Sequence, residues 1–275
     1  MDRIESAWVT RTSRGQTAIA TGAASMRVQL LALTLIVGVG SAKAQDSADD
    51  LAQQATDPTA SLMAFNFIAD YTGNYNGDGA GQDDNSVDLS FRPAIPFTAF
   101  GRKNILRLTV PYRSSGRGAK GLGTVSVFDV MLFDRPWGRF ALGGVAALSQ
   151  EGAAPDEFAI GPAAGVVWQY SKTLNLGVFS QNIFAGDTAI SQIQPIIAYQ
   201  IGNGWSLSAG DLQWAYDFKN SRWQSFPIGF QVGKVSKIGK QPVRYAFNPQ
   251  YNLVDFDGSE GWSVSFTFAM LVPGS

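Results

Sequence analysis

The stretch GWSVSFTFAMLV, residues 261–272, puts Trp262, Val264, Phe266, Phe268 and Met270 on one parity and Ser263, Ser265, Thr267 and Ala269 on the other. Alternation with period two over this length makes an extended strand with one greasy face and one polar or small face. In an exported chain, such a strand at the C-terminal end predicts an antiparallel up-and-down transmembrane β-barrel, closed by its last strand against its first.

Upstream, the same pattern recurs between turn signals. Candidate strands are 61–71, 86–98, 104–113, 122–134, 139–149, 158–170, 174–183, 190–201, 204–216, 223–234, 241–252 and 261–272. About twelve strands near ten residues long suit tilted membrane strands. Their connections alternate between tight ones, such as Gly101-Arg102-Lys103 and Gly202-Asn203, and mostly longer ones rich in Gly, Asp and Ser (72–85, 114–121, 150–157, 184–189, 217–222, 253–260). Short periplasmic turns and longer outer loops on an even strand number are the barrel arrangement.

Charge sorts along the same division. The short turns hold Arg102, Lys103, Arg135, Arg139, Lys172, Lys234, Lys237 and Lys240 against Asp134. The outer loops hold Asp78, Asp83, Asp84, Glu151, Asp156, Glu157, Asp187, Asp217, Asp255, Asp257 and Glu260 against Arg113, Arg117, Lys120, Lys219 and Arg222.

The N-terminal part has a different character. Residues 26–44 read as a secretory signal: Met26-Arg27 is basic, Leu30 to Val39 is apolar, and Ser41-Ala42-Lys43-Ala44 supplies small residues, Ala42 and Ala44, for cleavage after Ala44. The apolar run is too short to span a bilayer. Residues 1–25 read as a start-site extension, with translation expected at Met26 and a long basic region as the alternative. Residues 45–60 are acidic and polar and are expected to form a periplasmic segment with one helical turn near Leu51. The barrel is expected over 61–275, in the outer membrane of a Gram-negative bacterium.

Composition excludes several classes. The formal net charge is -1, so no nucleic-acid partner is expected. The chain has no Cys and no His, which removes disulfides, thiol nucleophiles and the commonest general base. On that ground the chain is expected not to be an enzyme, and neither cofactor nor metal is expected. Trp137, Trp168, Trp205, Trp223 and Trp262 lie near strand ends, as interfacial girdles require.

The charged strand residues are the candidate lumen groups. They are Asp70, Asp88, Arg92, Arg107, Asp129, Asp211 and Arg244, joined by Gln194. Most fall on the polar parity: Val87, Leu89 and Phe91 oppose Asp88, Ser90 and Arg92, and Val243, Tyr245 and Phe247 oppose Arg244 and Asn248. A charge on the lipid face at mid-depth costs about 2–4 kcal/mol for Arg or Lys, so these groups are expected inside. The parity neighbours of Asp129, Val127 and Met131, are apolar, and the phase switch near Gly210 marks a bulge at Asp211. Two roles stay open: paired charges that hold the barrel rigid, or a polar constriction on a transport path.

Several pieces, in order, resemble the outer-membrane proteins grouped as the meta-pathway of phenol degradation family. They are Leu51 to Pro58, Arg92-Pro93-Ala94-Ile95-Pro96-Phe97, Arg107-Leu108-Thr109-Val110-Pro111, Gly161-Pro162, Gln194-Pro195 with Tyr199, Trp205, Lys237 to Val243, and Trp262 with Pro273. Asp57, Ala64 and Thr124 depart from the family's usual Asn, Pro and Asp. The resemblance implies a barrel that passes small hydrophobic or aromatic compounds. Outer-membrane lipid and, through the C-terminal strand, the barrel-assembly machinery are the expected partners; the oligomeric state stays open. A non-conducting structural or adhesion barrel and a soluble lipocalin-like binder are the alternatives.

Overall fold

The computed structural model describes residues 47–76, 85–116, 120–149, 158–186, 188–255 and 258–273. The expected signal, its cleavage residues Ala42 and Ala44, the upstream extension and much of the acidic outer-loop set, including Asp78, Asp83, Asp84, Glu151, Asp156 and Glu157, lie outside the described residues.

Twelve strands form one closed antiparallel sheet. They are β1 Met63–Thr72, β2 Ser86–Ala99, β3 Arg102–Gly116, β4 over 121–135, β5 Gly138–Leu148, β6 Phe158–Gln169, β7 Leu174–Ala185, β8 Thr188–Gly202, β9 over 205–217, β10 over 222–238, β11 Gln241–Asn252 and β12 Trp262–Val272. Pairing is broken at 123–124 in β4, at 209–213 in β9, and at Phe226 and Phe230 in β10. Each strand pairs with its chain neighbours, and β12 pairs with β1 from Met63↔Val272 to Thr72↔Ser263. Closure removes both sheet edges, as a hydrocarbon surrounding demands.

The register fixes which parity faces out. Phe67 lies between Phe91 and Phe268, with ring centroids at 5.1 and 6.4 Å, and all three rings are on the outer wall. Tyr71 and Trp262 meet at 5.6 Å nearer the outer rim. At the short-turn end Arg102 sits over Phe133, Arg135 over Phe140, and Lys234 over Trp205. An apolar belt with aromatic and basic ends is the surface that a bilayer wets. The protein is a transmembrane barrel of the Gram-negative outer membrane, and lipid is its outer contact. Among the described residues no helix is long and apolar enough to cross a membrane; the strands do the crossing.

The inner wall is not uniformly polar. Ile105, Phe128, Val130, Leu132, Ala141, Val145, Ala163, Val167, Phe179 and Ile196 form an apolar cluster on the inward faces of β3 to β8. These strands alternate weakly in sequence, because both of their faces are apolar or small. Gly165 makes room for Phe179: a Cβ there would stand 2.4 Å from the ring.

The segment before β1 closes the short-turn mouth. Helix α1 spans Ala48–Ala55, longer than the single turn expected. Ser47 caps it and Asp50 returns the bond to the Ser47 N–H, a capping box that satisfies two otherwise free donors. Leu51 and Ala52 are buried against Leu62, Ala64, Val235, Ala269 and Leu271, all lumen-side. Gly204 N–H donates to Asp49, Gln53 to Asn175, Gln200 to Thr56 and Arg139 to the Thr59 carbonyl at 2.7 Å. Gly204, at φ 77°, has a second reason to be glycine, since a Cβ would come within 3.2 Å of Ala48. Residues 51–60 are therefore packed inside the mouth, with 47–50 exposed at its rim, and the segment is not separate from the barrel.

Replacing Leu51 by Asp sets a charge against Leu62 and Leu271 without touching the wall. The expected outcome is rapid protease cleavage within residues 47–60, with the heat-modifiable gel shift of the folded barrel retained. Loss of that shift would mean that the segment is required for closure itself.

Candidate functional site

The inward parity of β1, β2, β11 and β12 carries a stack of polar groups. Nearest the outer rim, Asp70 and Asp88 are cross-strand partners. Two carboxylates side by side repel, and each is held by a donor of its own: Ser265 donates to Asp70, and Arg113 donates to Asp88 from Nε at 2.8 Å and from Nη2 at 3.1 Å. Arg113, expected in an outer loop, is thus in β3 and faces the lumen.

One layer deeper, Asn66 fixes the Arg92 backbone by donating to its carbonyl at 2.8 Å, and the Arg92 side chain reaches across the lumen to Asp211 at 2.9 Å. β2 and β9 are on opposite sides of the sheet path, so this ion pair divides the lumen.

The bulge in β9 makes that reach possible. Ser208 pairs with Ala198 and Trp214 with Ile193, so six steps along β9 match five along β8. One extra residue flips the parity and throws 209–213 inward. Gly210 turns the chain at φ 69°, where a Cβ would collide with Gln231 and Asn248. Gln194 steadies the turn from Nε2 to the Gly210 carbonyl at 3.4 Å.

Below the pair lies a chamber with a cavity volume of about 90 Å3. Its roof is Arg92 and Asp211, its floor the segment from Gln54 to Ala60, and Arg107, Gln194, Gln231 and Arg244 are on its walls. Arg244 is buried and donates to Gln231 at 2.6 Å; Arg107 lies 5.1 Å from the Phe128 ring. Above the pair is a vestibule of about 270 Å3 lined by Asp70, Asp88, Arg92, Asp211 and Glu260.

Of the sequence-stated candidates, Arg92, Arg107, Gln194, Asp211 and Arg244 meet around the chamber, and Asp70 and Asp88 stand above it. Asp129 is a correction. Its cross-strand partners are Leu106 and Gly144, on the lipid side, while Phe128 and Val130 point inward. Its apolar parity neighbours, Val127 and Met131, carry the signal of a lipid-facing position. Arg113, Gln231 and Asp57 were not singled out as site residues. Arg113 stands one residue beyond the clear alternation of β3, Gln231 is an uncharged side chain in a broken strand, and Asp57 comes from the segment expected outside.

No family model and no curated protein matches the sequence. Among solved structures, an outer membrane channel from Pseudomonas putida F1 is similar at 11% identity and TM-score 0.49, covering 86% of this chain and 100% of that one. The KdgM porin in complex with disordered oligogalacturonate is similar at 9% identity and TM-score 0.44, covering 77% and 99%. Outer membrane phospholipase A from Escherichia coli is similar at 11% identity and TM-score 0.44, covering 83% and 99%. The last corrects one expectation: an enzyme stands among the similar barrels, so the chain is not set apart from enzymes. At that likeness no activity is carried over either.

Two substitutions separate the faces. Asp211→Asn leaves Arg92 without its charge partner, and with the pair 17% and 35% exposed the expected loss is about 1–3 kcal/mol in reversible urea unfolding in liposomes. Asp129→Leu removes a carboxylate from the lipid face, and the same measurement should show a gain of about 1 kcal/mol. A loss for Asp129→Leu would mean that the carboxylate has a partner in the membrane.

Proposed function

We propose that the protein is a passive uptake channel for small hydrophobic or aromatic molecules, and that it belongs with the meta-pathway of phenol degradation proteins it resembles. One observation carries the reading. Two spaces lie in series along the lumen, separated by the Arg92–Asp211 side-chain pair. A barrel built only for rigidity gains nothing from leaving that volume unfilled, since voids forfeit contact energy. The apolar inner cluster offers the greasy side of a path, and the charged layer offers a filter. On this reading the barrel-assembly machinery inserts the chain through β12.

A second reading, a non-conducting structural barrel, is favoured by the docking of residues 47–60, where α1 bonds to Gly204 and Asn175 and the Thr59 carbonyl accepts from Arg139 across the mouth. For transport the segment must shift, and its few polar ties make that a local event.

Planar-bilayer recording decides between them. Wild-type protein is expected to show brief, small openings, and Arg139→Ala combined with Asp49→Ala to lengthen them several-fold. A folded barrel that neither conducts nor takes up phenol into liposomes, with or without those changes, overturns the channel.

A further inference from the structure

We propose that the chamber between the Arg92–Asp211 pair and α1 binds small monocarboxylates with an apolar body, and that the unneutralised charges of Arg107 and Arg244 on its walls attract the carboxylate. The proposal names the solute class for the lumen of the channel reading and rests on it for transport, though not for binding.

The charge balance in the chamber is uneven. Three guanidiniums, Arg92, Arg107 and Arg244, face two carboxylates, Asp57 and Asp211. Asp211 is bonded to Arg92. Asp57 Oδ1 accepts from the Thr59 N–H at 2.8 Å and from its hydroxyl at 2.7 Å, within its own turn. Among the described residues, neither Arg107 nor Arg244 has an ion-pair partner. An unpaired guanidinium away from bulk water is costly, and an anion in the chamber relieves that cost. Three cations less two anions leave one positive charge, which matches a monoanion.

The hydrogen bonds point the same way. The Nε of Arg92, Arg107 and Arg244 are all buried without an acceptor, as is the Ser206 hydroxyl. Two of these converge. A Cβ built on Gly233 would lie 2.9 Å from Arg244 Nε and 2.9 Å from Ser206 Oγ, so both donors crowd the same bare stretch of backbone. Arg244 lines the chamber, its Nη2 serves the neutral Gln231, and its positive charge stays unneutralised there. Guanidinium and carboxylate match in a planar, two-bond fork.

The rest of the lining sets the body of the ligand. Leu62, Ala64, Ile68, Ala94, Ile105 and Leu271 are apolar, and Phe128 lies against the Arg107 guanidinium beside them. A solute with one carboxylate and a compact apolar remainder satisfies both halves. The cavity volume, about 90 Å3, limits that remainder to a compact, single-ring size.

The test uses the folded mature protein in detergent, with benzoate as probe and benzyl alcohol as its neutral counterpart of similar size, measured by calorimetry. The expected result is benzoate binding at least tenfold tighter than benzyl alcohol. Arg107→Gln and Arg244→Gln are each expected to weaken benzoate tenfold or more and leave benzyl alcohol unchanged. Equal binding of the two probes to wild type, no binding of benzoate, or full benzoate affinity in the double variant overturns the proposal. If the variants do not fold by the heat-modifiability gel, the wild-type comparison decides alone. Flux is measured separately in liposomes. Benzoate binding without flux of any solute sinks the channel and leaves this site standing; flux without benzoate preference does the reverse.

Discussion

The backbone pairing of β1 with β12 is the constraint on which everything else hangs. In hydrocarbon an unpaired N–H or C=O has no water to turn to, so the sheet must close. The Met63↔Val272 to Thr72↔Ser263 register does this with large outward residues such as Phe65, Phe67, Tyr71, Phe266 and Phe268 facing lipid and small or polar ones facing in. A slip of one residue would turn Asp70 and Asn66 to the lipid and the rings to the lumen, which is why the register is unambiguous here.

Closure at twelve strands creates a second problem. A barrel of this width is too broad for wall side chains alone to fill and too narrow to remain an open aqueous pore beside so many buried groups. The chain fills it from three directions. On β3 to β8 the wall turns Phe128, Val130 and Phe179 inward; from the short-turn end α1 inserts Leu51; from β9 the bulge inserts 209–213. These meet at a layer rather than throughout, so space remains above and below Arg92–Asp211.

That division also explains what the sequence could reveal. Strand number, turn alternation and the outward face of β12 were legible because one face of each such strand is greasy and the other is not. The bulge was legible at Gly210 because a phase switch in alternation has a single physical cause. Asp129 misled because β4 reads as apolar on both parities: with Phe128 and Val130 as greasy as Val127 and Met131, the pattern carried no orientation, and only pairing with Leu106 and Gly144 supplies it. The docking of α1 was illegible for a different reason. Its partners Asn175, Gly204 and Val235 come from two separate strands and the turn before β9, and no local pattern in residues 47–60 encodes a surface that exists only after the barrel closes.

The β9 bulge ties these levels together. It breaks wall pairing at 209–213 and opposite it at Phe226 and Phe230, a local loss of ladder bonds inside the membrane. The loss is offset on both faces. Outward, Trp214 stacks on Phe226 at 4.7 Å and donates from Nε1 to the Pro227 carbonyl at 3.0 Å, so an orphaned acceptor is satisfied from the lipid side. Inward, Gln194 satisfies the Gly210 carbonyl, and Asp211 gains Arg92. A strand needing only to span would stay regular. What the irregularity adds is an acid in the middle of the lumen, opposite more guanidiniums than one carboxylate can neutralise, so the same residue that shuts the layer leaves the chamber below it positive.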